Sequence, residues 1–479
     1  MLRIDLLILL PLAGAVLTAM AGSRARLVAL ATTLATIGVA VSLIPHGLFA
    51  GLTLHGLFEP TDPERAWLLT ADGISAPLLA LTLLLGVVAV LASWNISDRP
   101  ATHHALLLGL QAAVTGVFLA EHVVLFYVFW EAVLIPMYFL IGGWGHENRR
   151  HAATKFFIYT FAGSALMLIG LLIAIYTLRA TTFSALADAG GGFPHMLVYW
   201  LLLAGLLVKI PVVPLHTWLP DAHVEAPTAG SIMLAGVLLK MGGYGMIRLA
   251  MPLATDAWEA SRPLLLALGV VGVIYGAVTA LVQTDLKRLV AYSSVSHMGF
   301  VLIALSVGTP AALQAAMLVM VSHGLVAGLL FLLVGELYDR AHTRELARFG
   351  GLGAVTPVWA TAFTFAALAS LGLPGLSGFP GELLAVLEGF GAWSWSIAPV
   401  GVGLLLAAAY NLRAVRAVSH GSIAEEFSTL PDLDARAIVA VLLLVIPVIV
   451  LGLWPRLIAD IPEEAFAVLG TLLRAGVTP

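Results

Sequence analysis

The sequence predicts an all-α polytopic membrane protein with about 14 transmembrane helices. Composition is the first reason: of 479 residues, 60% are hydrophobic and only 10% charged, against about 25% charged in a soluble domain. Length is the second, because apolar runs of roughly 20 residues, enough to cross hydrocarbon, recur between short polar breaks. The third is the pattern within the runs, which lacks the short alternation of a membrane barrel strand. A core does not need this much apolar sequence, so most of it must face lipid.

The first span is expected over 2–22. Its apolar run begins after Arg3 and Asp5 and lacks a clear A-x-A cleavage pattern, so it reads as a span and not a secretory signal. Spans two to six follow at 27–44, 74–94, 102–120, 123–142 and 155–178. Span seven, 197–218, runs into GLLVKIPVVPLHTWLPDAH, which combines Lys209 with Pro211, Pro214 and Pro220. Proline breaks the backbone ladder, and a charge in hydrocarbon costs roughly 2.5–3.5 kcal/mol on insertion scales. Spans eight to eleven are expected at 228–250, 263–282, 288–306 and 311–335. Span twelve, 355–392, is long and interrupted by SLGLPGLSGFPGELLAVLEGF, with Pro374 and Pro380. Spans at 396–412 and 437–455 complete the set, and an amphipathic stretch at 458–473 is expected to lie in the interface.

The two interrupted spans, seventh and twelfth, lie five apart. Paired interruptions mark a transporter built from two internal repeats, and an odd unit repeated in sequence must be inverted in the membrane. The expected organisation is helices 1–3 (residues 1–101), a first repeat of helices 4–8 (102–250), a second, inverted repeat of helices 9–13 (263–417), and helix 14 with an interfacial tail (418–479).

Charge placement tests the count. Of 23 Lys and Arg, fourteen fall in the breaks opposite the termini. Seven lie on the termini's side (Arg3, Arg65, Arg179, Arg248, Arg262, Arg456 and Arg474), and Lys209 and Lys240 lie inside spans. The positive-inside rule then puts both termini outside the cytoplasm. No basic patch suggests nucleic acid. With no cysteine there is no disulfide, thiolate zinc site or Cys-ligated iron–sulfur cluster.

Six titratable groups fall near the middle of spans: Glu131, Lys209, Lys240, His297, His323 and Glu382. Such groups are rare in membranes and usually mark ion or proton pathways. Blander roles exist: Glu131 with Lys209 as a structural pair, His297 and His323 as hydrogen-bonding glue between helices. As a set, one group per helix at similar depth, they make a row along the membrane plane, which is what a proton relay needs. Burial readily lowers the proton affinity of a lysine, and a nearby carboxylate raises it again. Movement of Glu131 relative to Lys209 would therefore load or unload that lysine. The prolines free carbonyls and let water enter where they line a cavity. Other chemistries lack their signatures. There is no GxGxxG or Walker A loop, and His146 and His151 are five apart where a zincin helix needs four.

The stretches FYVFWEAVLIPMYFLIGGWG, ATKFFIYT, KIPVVPLHTWLPDAHVEAPTAGS, LLKMGGYG, TDLKRLVAYSSVSHMGF, HGLVAGLLFLLVGELYDR and LPGLSGFPGE resemble the antiporter-like membrane subunits of respiratory complex I. Within that group they are most similar to the subunit M (chain 4) family of NADH-quinone oxidoreductase. The resemblance runs from about Asp72 to Trp454. It implies 14 helices with discontinuous helices 7 and 12, and proton translocation driven by NADH oxidation and quinone reduction in other subunits. It maps the family's functional residues onto Glu131, Lys209, Lys240, His297 and Glu382, with His323 on a further family histidine. A glutamate rather than a lysine at the position of Glu382 separates this family from most related subunits. NADH, FMN, iron–sulfur clusters and quinone are implied for partner subunits and no cofactor for this chain. Its expected partners are other complex I membrane subunits, including neighbouring antiporter-like ones, in a bacterial inner membrane. The rival readings are a subunit of a multisubunit sodium/proton antiporter or of a hydrogenase- or ferredoxin-linked complex, and a structural membrane scaffold.

Overall fold

The computed structural model describes residues 4–48, 54–55, 69–188 and 194–475. Arg3 and Arg65, two of the charges assigned to the termini's side, and residues 2 and 3 of the first expected span lie outside these. Helix dominates, as it must where lipid offers the backbone no hydrogen bonds. The helices are α1 (Leu6–Met20), α2 (Ala25–Leu43), α3 (Ala76–Ala92), α4 (Pro100–Leu119), α5 (Val123–Trp144), α6 (Arg149–Leu178), α7 (His195–Lys209) and α8 (Trp218–Glu225). They continue with α9 (Thr228–Leu253), α10 (Thr255–Val282), α11 (Leu286–Val307), α12 (Pro310–Ala341), α13 (Pro357–Ser370), α14 (Gly378–Trp393), α15 (Pro399–Ser419), α16 (Ala435–Leu453) and α17 (Glu463–Ala475). A two-residue antiparallel ladder pairs Leu54–His55 with Thr70–Ala71.

Local chemistry sets the ends. Proline opens α4, α12, α13 and α15, where its missing N–H costs nothing and its φ suits the first turn. Asp285, Thr309 and Asp434 cap α11, α12 and α16 by accepting the N–H three residues on. Gly308, with φ of +71°, ends α11. Several helices outrun their apolar stretches. α6 starts at Arg149, α10 starts at Thr255 and contains Pro263, and α12 runs to Ala341. Polar turns extend these helices because they project past the hydrocarbon, where charge is cheap.

Ten of the described helices are long and apolar enough to cross a membrane, and Leu6–Met20, Ala76–Ala92, His195–Lys209 and Pro357–Ser370 are shorter apolar helices. Both interruptions occur where the prolines put them. α7 stops at Lys209 and the chain resumes helix at Trp218; α13 stops at Ser370 and α14 begins at Gly378. The expected interfacial stretch forms α17 after a single turn at Arg456–Ala459.

Burial sorts the helices. The apolar windows of α9 and α11 are 94% buried and that of α12 is wholly buried, whereas those of α2 and α16 are 28% buried. A helix apolar all round and shielded from lipid is the interior of a bundle, and α9, α11 and α12 carry Lys240, His297 and His323. Alternate breaks converge on opposite faces. One cavity is lined by Asp98, His146, Pro227, Lys287 and Arg344. Another is lined by Ile74, Glu121, Ser184, Pro252 and residues of α17.

Glycines let the central helices touch. The GVIYG stretch packs α10 on α11: a Cβ at Gly276 would lie 2.5 Å from the Ser296 nitrogen, and one at Gly299 would lie 2.6 Å from the Gly269 carbonyl oxygen. Gly276→Val is therefore expected to destabilise the chain by about 1–3 kcal/mol. Gly109→Ala, whose Cβ meets nothing within 4 Å, is expected to be neutral or stabilising by up to about 1 kcal/mol. Thermal unfolding in detergent checks both.

Candidate functional site

Lys240 occupies the middle of α9, just after a π-helical turn at Leu234–Leu238. Such turns occur often at functional sites. Its side chain is fully buried. The Nζ donates to the Ala235 carbonyl and lies 2.6 Å from His323 Nδ1 on α12. A protonated Lys240 donates to Nδ1; a neutral one can accept from an Nδ1–H. The bond survives either way, so its direction can reverse with the position of one proton. The other nitrogen of His323, Nε2, is buried without a hydrogen-bond partner.

The rings of His323 and His297 are 5.6 Å apart. Both line a cavity with about 20 Å³ of room for water centres, walled also by Ser322, Ser370 and Glu382. That volume holds one water, and a gap of this width between polar rings is the kind that a water spans. His297 is held by two bonds. Its Nδ1 lies 2.8 Å from Glu382 Oε1, and its Nε2 lies 3.2 Å from Ser370 Oγ. Asn411 of α15 donates to Ser370 Oγ at 3.4 Å. A neutral His297 carrying its ring proton on Nδ1 donates to the carboxylate and accepts from Ser370 Oγ at Nε2; the other tautomer donates to Ser370 instead.

The break before α14 makes room for this carboxylate. Gly372 has φ of +77°, and a Cβ there would lie 3.0 Å from Glu382 Oε2. Ser322, on the cavity wall, shares a hydrogen bond of 2.8 Å with Ser377, fixing the break against α12.

Four of the six expected groups are thus brought together as Lys240–His323 and His297–Glu382, joined at the cavity. The other two stand differently. Lys209, at the last position of α7, is 1% exposed and its Nζ has no hydrogen-bond partner. It lies 5.4 Å from the centre of the Trp130 ring, a cation–π arrangement. Glu131, the next residue along α5, has a buried and unpartnered Oε1. Among the described residues no ion pair within 4.0 Å joins it to Lys209. The structure therefore holds this lysine and carboxylate near one another but unpaired.

The two breaks are also chemically unlike. Two residues before the first proline of each stands Lys209 in one and Gly372 in the other. In the first, the charge precedes the break; in the second, glycine takes that place and Glu382 enters from the helix beyond.

The geometry can be set beside known proteins. Residues 120–407 match the family described as NADH:quinone oxidoreductase/Mrp antiporter, TM. The chain belongs to this family. It is 38% identical to NADH-quinone oxidoreductase subunit M of Rhodobacter capsulatus, over 98% of both chains. Among solved structures it is similar to a chain of respiratory complex I from Thermus thermophilus, with a TM-score of 0.90 and 29% identity over 98% of this chain and 99% of that one. A chain of the Mrp complex from Dietzia shares the fold at a TM-score of 0.89 and 22% identity, over 99% of both chains. The protein is thus a multi-pass membrane protein of this family.

Reading the sequence missed several participants. Ser370 stood at the head of the second break and Asn411 was a lone amide in an apolar span; either could have been noticed. Arg248 falls two residues from the end of the expected span 228–250 and groups by charge with the termini's side. In the structure it is a partly buried member of α9 that pairs with Asp72 at 2.5 Å and with Glu121 at 3.0 Å. Its position near the end of the span disguised it as a loop charge. His146, in the loop between α5 and α6, faces Tyr338; burial, with Lys287 and Arg344 nearby, pushes it down to about 3. No group of three or more His, Asp or Glu among the described residues is placed to hold a metal ion.

Gly372→Ala is expected to cost about 1–2 kcal/mol, because an L side chain is strained at this φ, and to push Glu382 from its place. A lowered thermal midpoint relative to the native chain checks the first part, and loss of the Glu382–His297 contact in a structure of the variant checks the second.

Proposed function

We propose that this chain is a proton-translocating membrane subunit of a bacterial NADH:quinone oxidoreductase, with the redox chemistry carried by other subunits. The observation that supports it most is the row Lys240, His323, His297 and Glu382, buried on the four helices α9, α12, α11 and α14. Every member can take and release a proton, and the one gap has room for a water.

In this reading, a proton reaches Lys240 from the cytoplasmic face. It passes through the reversible Lys240–His323 bond, leaving on His323 Nε2. The cavity water carries it to His297 or Ser370, and His297 Nδ1 delivers it to Glu382. Lys209 acts as the control: apart from Glu131 it is a buried cation against an indole, and approach of the carboxylate would favour its charged form. Its charge in turn raises or lowers the cost of a second cation at Lys240.

Protons, and not sodium, suit this row. A hard cation wants several oxygen ligands, and the row's central members offer nitrogen. The end-to-end match to a subunit M also favours this reading over a sodium/proton antiporter, for which the Dietzia likeness supports the fold alone. We further propose two inverted repeats over 102–250 and 263–417, fourteen spans, both termini on the outer side of a bacterial inner membrane, no cofactor in this chain, and contacts with neighbouring antiporter-like subunits.

In membrane vesicles holding the assembled complex, Lys240→Ala is expected to depress NADH-driven proton pumping about tenfold or more, since it removes a group required in every transfer. Unchanged pumping by an assembled variant would contradict the proposal, as would retained pumping after neutral substitution of both Lys240 and Glu382, which a structural scaffold would tolerate.

A further inference from the structure

Below Lys240, α9 carries two more polar side chains at helical spacing, Tyr244 and Arg248. Residues four apart on a helix lie over one another, so the three form a column running from the central row toward the face that carries α17. The column ends at a cavity with about 380 Å³ of room for water centres, lined by Arg248, Glu121, Ser184 and residues of α17 such as Leu472. Tyr244 and Arg248 thus stand on α9 between Lys240 and a cavity at the face that carries α17.

The two differ in what they can do with a proton. Tyr244 is buried, donates its hydroxyl proton to the Phe118 carbonyl at 3.2 Å, and presents its oxygen to the Arg248 guanidinium. A hydroxyl can accept one proton and release another, so it can serve as a link. A guanidinium is donor-only and does not deprotonate in proteins. It can neither accept a proton from above nor pass one below.

Arg248 is also fixed in place from two separate segments. Asp72, before α3, accepts from one guanidinium nitrogen at 2.5 Å, and Glu121, between α4 and α5, accepts from another at 3.0 Å. The anchors are themselves held. Asp72 Oδ1 accepts the N–H groups of Ile74 and Ser75, and Glu121 Oε1 accepts that of Ser184. A π-helical turn at Met246–Ala250 surrounds Arg248.

We propose that Arg248 is a donor-only plug that keeps the first half of the protein closed to the outer face. Protons on Lys240 then reach the outer face only by way of His323, His297 and Glu382. Asp72 and Glu121 are its positioning residues. This inference rests on the reading of Lys240 as a proton site. It adds that one of the two routes from Lys240 to the outer face is blocked, so that outward transfer must use the whole row.

The test uses the assembled complex in sealed proteoliposomes, without electron donor, and reads passive proton influx after an acid pulse with a pH-sensitive dye. Arg248→Ala opens the position to water between two carboxylates, and Arg248→Gln puts an acceptor there while keeping most of the side chain. Either is expected to raise influx about tenfold, equivalent to about 1.4 kcal/mol off the barrier. Arg248→Lys, still a donor-only cation while charged, is expected to stay close to the native value. The double variant with Lys240→Met is expected to return to the native value, because the leak runs through Lys240. Assembled variants as tight as the native complex would overturn the plug, and so would a leak that persists without Lys240. Failure of the proposed function gives a different result: NADH-driven pumping that survives Lys240→Met alone.

Discussion

A lysine ammonium buried at the centre of a membrane bundle must be given partners, and much of this structure is arranged around giving them to Lys240. An unpaired charge there costs several kcal/mol. The π-helical turn presents the Ala235 carbonyl, α12 presents a histidine nitrogen, and the most buried helices of the bundle shield the pair from lipid. Close glycine contacts between α10 and α11 draw the second half in toward the same centre. Without such packing, His297 would not sit 5.6 Å from His323, and the charge on α9 would have no neighbour through which to relax.

That arrangement is asymmetric although the chain reads as two like halves. In the second half the carboxylate, histidine, serine and asparagine form one bonded unit, so Glu382 is positioned from three helices. In the first half, Lys209 and Glu131 each keep an unpartnered polar atom. A fully bonded site is rigid, whereas an incompletely bonded one can change partner. Lys209 and Glu131 can therefore change partner, whereas Glu382 is tied to His297. The contrast between Lys209 and Gly372 at matching places in the two breaks writes the same difference into the backbone.

Much of this was legible in the sequence, for physical reasons. Span length and composition report on hydrocarbon directly, and proline reports on the backbone ladder, so the helices, both breaks and the six titratable groups could be read from residues alone. Contacts could not. Nothing in a linear pattern says that Asn411 reaches Ser370 or that Lys240 chooses His323 over any other neighbour, since these depend on helix rotation. Arg248 shows the limit most clearly. Near the end of a span, a snorkelling loop cation and a buried, doubly paired one look alike, and only Asp72 and Glu121, 176 and 127 residues away in sequence, tell them apart.

The central claim is that protons move along Lys240, His323, His297 and Glu382 as one coupled unit. Infrared difference spectroscopy of the complex during turnover, with isotope-labelled histidine, tests it most directly. Turnover is expected to produce histidine bands and a protonated carboxyl band from Glu382, and His323→Phe is expected to remove both together while the complex stays assembled. A carboxyl band that persists unchanged when His323 is gone would show that Glu382 takes its proton from elsewhere, and the row would not be the path.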